Sequence, residues 1–170
     1  MCISKVGRNW WQVPTLDNVP ERFRGYWQCM NVSISFNTHD DQVDANQRGG
    51  AAVISMDVVA HKTFGKGGSD PLGLGQWVWT CYRGKNGVTV RIVSSHRPCN
   101  NRGEKTVWAQ HRRALDEWDD DWCPRRAWLQ DLCTKVGDWQ RDGDQVILLA
   151  DTNQDVWSDK IRSAFADIAL

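Results

Sequence analysis

The sequence predicts an α+β or layered α/β domain, and three observations carry that prediction. Short apolar runs in the first half alternate with a two-residue period. From Thr106 the apolar period becomes helical. A continuous apolar run at 146–150 then interrupts the helical half before a last helical segment. With 170 residues the chain has the size of one domain and can bury a sizeable core.

Taken in order, the first third is loop-rich, with Pro14, Pro20 and a polar stretch at 37–50. Within it, residues 28–36 alternate as a strand does. Residues 51–60 read as a second strand, opened by Gly49-Gly50, and residues 65–75 as a glycine-dense loop. Segments 76–82 and 88–94 flank Arg83-Gly84-Lys85-Asn86-Gly87, whose Asn-Gly step signals a hairpin. A helix from Thr106 places Trp108, His111 or Arg112, Leu115 and Trp118 on one face. A second begins at Pro124, stops near Asp142-Gly143, and spaces Trp128, Leu132, Val136 and Trp139 for a core. The run Val146-Ile-Leu-Leu-Ala-Asp151-Thr-Asn153 reads as a strand buried on both faces that ends on an acid and an amide. A helix capped by Ser158 follows, with Ile161, Phe165 and Ile168 along one face.

Basic and acidic residues balance at 21 each, which argues against a salt-driven nucleic-acid binder but leaves room for a local basic patch. No apolar run has the length of a membrane span, and Met1-Cys-Ile-Ser-Lys-Val-Gly-Arg lacks a signal-peptide core, so an intracellular protein is the default expectation. The six cysteines form no CxxC pair and no zinc spacing. They read as small hydrophobes, with a disulfide framework as the alternative. Eleven tryptophans against two tyrosines are the compositional oddity. Most belong in a core. Trp10, Trp11, Trp118 and Trp122, set among polar residues, are the candidates for an exposed substrate-binding surface.

At the strand end, Asp151 and Asn153 have two readings. They form a turn bonded to its own backbone, or a rigidly held site at a sheet edge. Asp40, Asp41 and Asp44, and the acidic run from Asp116 to Asp121, could take a cation; solvated loops are the favoured reading. His39, His61 and His111 show no metal-site spacing.

Four ordered segments carry a resemblance. Gly49-Gly50-Ala-Ala-Val, Asp70-Pro-Leu-Gly-Leu-Gly75-Gln-Trp77, Val90-Arg-Ile-Val-Ser-Ser-His96-Arg97-Pro98-Cys99 and Ile147-Leu-Leu-Ala-Asp151-Thr-Asn153 resemble the middle of an endonuclease/exonuclease/phosphatase superfamily domain, of the divergent mobile-element endonuclease-like kind. The resemblance implies two packed, mostly antiparallel β-sheets flanked by helices. It also implies Mg²⁺ or Mn²⁺ at Asp151, polarising a phosphodiester for attack by water. Asp151 and Asn153 match the residues that orient water and phosphate. His96 stands where a Tyr usually supports the phosphate, followed by Arg97. Lys5 stands at the position of the family's metal-binding Glu, which weakens a cation there. The family's first strand and its closing Asp-His segment fall outside residues 1–170, so a single domain lacking both is expected. Sheet edges left unpaired by those absences predict a homodimer.

The function expected is therefore a divergent, truncated, metal-dependent phosphodiesterase or endonuclease-like protein acting on a phosphodiester or nucleic acid, with conventional nuclease activity reduced or lost. The alternative is a tryptophan-rich protein that binds or hydrolyses a polysaccharide of β-glucan type, with Asp151, Asp70, Glu104 and Asp155 as candidate acids.

Overall fold

A computed structural model describes residues 1–8, 12–14, 17–39, 48–117, 123–155 and 158–168. In chain order its elements are β1 (Cys2–Ser4), α1 (Val19–Arg24), β2 (Met30–Ser35), β3 (Ala51–Met56), α2 (Asp57–Ala60), β4 (Gly68–Ser69), β5 (Trp77–Arg83), β6 (Thr89–His96), α3 (Val107–Glu117), α4 (Pro124–Arg141), β7 (Gln145–Asp151) and α5 (Asp159–Ala166). The α+β class is as the sequence predicts. β1, β3 and β2 form an antiparallel three-stranded sheet, and β4, β5, β6 and β7 a four-stranded sheet in that order. β7 runs parallel to β6, after the crossover through α3 and α4.

The hairpin turn is where the sequence places it. Asn86 and Gly87 take left-handed φ values of 58° and 79°, and Gly84 N–H donates to Val88 O at 2.8 Å. The strand expected over 51–60 ends at Met56. Asp57 turns to a φ of 49°, and residues 57–60 close a helical turn instead. Inside the glycine-dense loop, β4 pairs with Val78 and Trp79 of β5. The sequence does not signal β1 or α1 as elements. α1 begins with Asn18, whose side chain accepts the Glu21 N–H at 3.0 Å, and carries a proline in its first turn.

The main core lies between the four-stranded sheet and the helices. Trp77 and Val93 from the sheet meet Trp128, Leu132, Val136 and Trp139 from α4 and Ile161 from α5, all buried. This is the face of α4 that the helical spacing predicts. Phe165 and Ile168 pack against the same cluster. Between the two sheets, Ala51, Val53 and Val78 form a smaller core with Cys2 and Ile92. The buried face of α3 is Gln110, His111, Ala114 and Leu115. Trp108 is half-buried, and Trp118 lies outside the described residues.

β7 corrects one expectation. Val146, Leu148 and Ala150 face the helical core, but Ile147 and Leu149 on the opposite face are about half exposed, at 51% and 47%. The strand is half-buried on one face and exposed on the other. It is the last strand of its sheet, and the narrower opposing sheet ends at the three-residue β1, so it leaves that face of β7 uncovered. All six cysteines are free thiols, so there is no disulfide framework; Cys81 is buried, and Cys99 and Cys123 are exposed. Among the described residues no helix is long and apolar enough to cross a membrane.

Candidate functional site

The parallel register of β6 and β7 sets His96 beside Asp151, so two of the sequence-predicted residues end neighbouring strands at one edge of the core. The next residue continues the pairing, with Arg97 N–H donating to Asp151 O at 2.9 Å. Past the strand end, Asn153 adopts a left-handed φ of 47° and its N–H donates to Asp151 Oδ1 at 3.2 Å. That is the backbone-bonded turn of the first reading. The other carboxylate oxygen is turned to a partner from the opposing sheet.

That partner is Lys5. It follows β1 and takes a φ of 58°, a conformation non-glycine residues seldom adopt. Its ammonium lies 2.8 Å from Asp151 Oδ2 and 3.5 Å from Asn153 Oδ1. The bond to Asp151 holds the Lys5 amine above its ordinary value, the largest of its influences. Partial burial pulls the Asp151 carboxyl upward. The Lys5 bond, the Asn153 N–H and the nearby charges outweigh it, leaving Asp151 below the usual carboxylate range.

The Asn153 amide fixes the histidine. Its Nδ2 donates to Arg97 O at 2.6 Å and lies 3.2 Å from His96 Nε2. An amide nitrogen offers only donors, so Nε2 is the acceptor and the proton of neutral His96 resides on Nδ1. Burial holds His96 at about 4, well below 6.5, with Asp151 raising and Lys5 lowering it, so the ring is neutral near pH 7. Its Nδ1 is buried and has no hydrogen-bond partner. A buried donor without an acceptor is costly and marks a place for a ligand or a water.

Arg97 is buried and faces away from this cluster. Its Nη1 donates to Gln154 Oε1 at 2.6 Å, its Nε to Arg125 O at 3.3 Å, and its guanidinium lies 5.6 Å from the Trp128 ring centre. Burial, then the charge of Arg125, lowers it to about 10. Arg125, at the start of α4, clamps the same loops by donating to Pro98 O at 2.7 Å and Gln154 Oε1 at 2.9 Å. Neither Arg125 nor Gln154 is singled out by the sequence. Each lies beside a noted feature, Pro124 and Asn153, but has no motif of its own.

A cavity of 340 Å³ opens beside His96, lined among others by Lys5, Arg48, Asn101, Thr106 and Trp108, with no carboxylate among the described residues. Gly49 forms part of its wall, and a Cβ there would press on the Val107 methyls at 3.3 Å. This accounts for the first glycine of the Gly49-Gly50 step, which holds a φ of 96°. Arg48 precedes that step and is a lining residue the sequence reading missed.

Behind the cavity, His111 is fully buried, with its Nδ1 3.4 Å from Gln76 Nε2, and burial lowers it to about 3. Asp70 is also buried. It accepts from Ser35 Oγ at 2.8 Å, Leu74 N at 2.6 Å and Gln76 N at 3.1 Å, so its carboxylate pins its own loop. Asp70 has no face open to a glycan. Trp77, Trp128 and Trp139 are core residues, while Trp10, Trp11, Trp118 and Trp122 fall outside the described residues, as do Asp40, Asp41, Asp44 and the acidic run beyond Glu117.

Among the described residues no group of three or more His, Cys, Asp or Glu side chains is placed to hold a metal ion. Neither a family model nor a curated protein matches the sequence.

Proposed function

We propose that this chain is a phosphodiester-binding domain on an endonuclease/exonuclease/phosphatase-like scaffold that does without conventional metal-dependent hydrolysis. The observation that carries the reading is the cavity beside His96. Two cationic side chains, Lys5 and Arg48, line it, and a buried His96 N–H lacks an acceptor. Arg48 supplies counter-charge to a phosphate in the cavity, and Lys5, its charge matched by Asp151, adds a hydrogen-bond donor. Two sheets with flanking helices, and His96 meeting Asn153 across the strand ends, agree with the scaffold that the four sequence segments resemble.

A divalent cation does not fit the residues present. Asp151 Oδ2 is held by an ammonium at 2.8 Å, and among the described residues it belongs to no group of three or more His, Cys, Asp or Glu side chains placed to hold a metal. No hydrolytic step is therefore assigned to Asp151. In this reading Asn153 orients the His96 ring, and Arg97 with Arg125 stiffens the loops that carry them.

Anisotropy of a labelled oligonucleotide tests the proposal. Binding is expected at low salt, weakening as salt rises, and reduced at least about tenfold by Arg48→Ala. Supercoiled plasmid with Mg²⁺ or Mn²⁺ is expected to stay intact. Absence of binding at low salt, or metal-dependent cutting that Asp151→Asn abolishes, overturns the reading.

A further inference from the structure

We infer that the Lys5 ammonium is a built-in substitute for a divalent cation, and that this single side chain keeps metal ions off Asp151 and Asn153. The inference goes beyond phosphodiester binding and does not require it.

The first argument is positional. Asp151 Oδ2 and Asn153 Oδ1 converge on one point, and Lys5 Nζ occupies it, at 2.8 Å and 3.5 Å. A carboxylate and an amide oxygen meeting at a strand end are the donors a hard cation takes. Here a monovalent ammonium takes them through hydrogen bonds.

The second argument is that the backbone is shaped for this contact from both sides. Lys5 and Asn153 are two of only four non-glycine residues with positive φ among the described residues, at 58° and 47°. Such conformations are costly and persist where surrounding structure holds them. β1 is held on the Lys5 side by Val6 N–H to Gly50 O at 3.4 Å and Gly7 N–H to Gly49 O at 2.9 Å. Asn153 is held by Asp151 Oδ1 and Arg97 O. The ammonium is thus delivered by a braced segment from one sheet to a braced turn on the other.

The third argument is competition. A tethered cation acts at a high effective concentration, and a free divalent ion would have to displace it while meeting its repulsion. The carboxylate charge is already matched by Lys5, and a divalent ion would add charge to a neutral pair.

Terbium emission sensitised by tryptophan reads metal binding without any activity, since Trp108 and Lys5 line one cavity. Wild type is expected to show no saturable signal up to millimolar Tb³⁺. Lys5→Glu is expected to bind at least about a hundredfold more tightly, with displacement by Mg²⁺, and adding Asp151→Asn is expected to erase the gain. Lys5→Met, which keeps the length but drops the charge, is expected to gain about tenfold. A saturable wild-type signal that Asp151→Asn abolishes overturns the inference. So does the absence of any gain in Lys5→Met with a native near-ultraviolet dichroism spectrum. Oligonucleotide anisotropy on the same samples is read separately, so either proposal can fail without the other.

Discussion

Lys5 and Asp151 join the two sheets at their common end, with the ammonium of one 2.8 Å from the carboxylate of the other. Their side chains are 50% and 32% exposed, so solvent screens the attraction. The pair therefore contributes little to stability, and its consequence is electrostatic occupation of the Asp151 oxygen. A double-mutant cycle of Lys5→Met and Asp151→Asn in urea is expected to give a coupling of about 0.5–1 kcal/mol, shrinking at high salt. A coupling above about 2 kcal/mol would show the pair to be a structural clamp.

Acid is expected to weaken the fold through two neutral, buried histidines. His96 and His111 lie at about 4 and about 3 in the folded chain, against 6.5 when unfolded. Below 6.5 the unfolded chain takes up protons that the folded chain refuses. Their stabilising effect is thus whole above 6.5 and is lost as pH falls towards about 4 for His96 and about 3 for His111. Asp70 acts in the opposite sense, because burial raises its carboxyl and the folded chain then binds the extra proton. Urea midpoints across this window should fall with pH, and His111→Gln should flatten the slope. A flat midpoint contradicts the expectation.

Trp128 ties the core to the site. It is fully buried, its Nε1 donates to Ser95 Oγ at 2.8 Å, and the Arg97 guanidinium lies over its ring. Trp128→Ala is expected to cost about 3–5 kcal/mol by leaving a cavity between α4 and β6. Urea denaturation measures it, and a loss under about 1 kcal/mol would deny Trp128 its place in the core.

The uncovered face of β7 is expected to drive self-association. The strand exposes Ile147 and Leu149, and residues 145–150 include no charged side chain or proline to guard the edge. Light scattering should show a dimer at high concentration. Leu149→Lys should shift it towards monomer while moving the urea midpoint little. A wild-type mass that stays monomeric at every concentration sinks the expectation.

Much of the fold is legible in local patterns. The Asn86-Gly87 turn, the Trp128, Leu132, Val136 and Trp139 face of α4, and the strand ending at Asp151 each rest on a few consecutive residues. Chain geometry ties those residues to one conformation. β1, β4 and α2 are illegible because they are too short to carry a period. The one-sided burial of β7 is illegible for another reason. An apolar run does not say how wide the opposing sheet will be, and that width leaves Ile147 and Leu149 bare.

The site divides in the same way. By itself the sequence determined that Asp151 and Asn153 end a strand and that His96 and Arg97 follow another. The tertiary structure alone decided that Lys5 reaches Asp151 from 146 residues away, that Arg97 turns into the core, and that Arg48 joins Lys5 and His96 around one cavity. The reason is physical. Turns and periods are written in neighbouring residues, whereas the distance between two charges depends on how two sheets pack, and packing sums contacts from the whole chain.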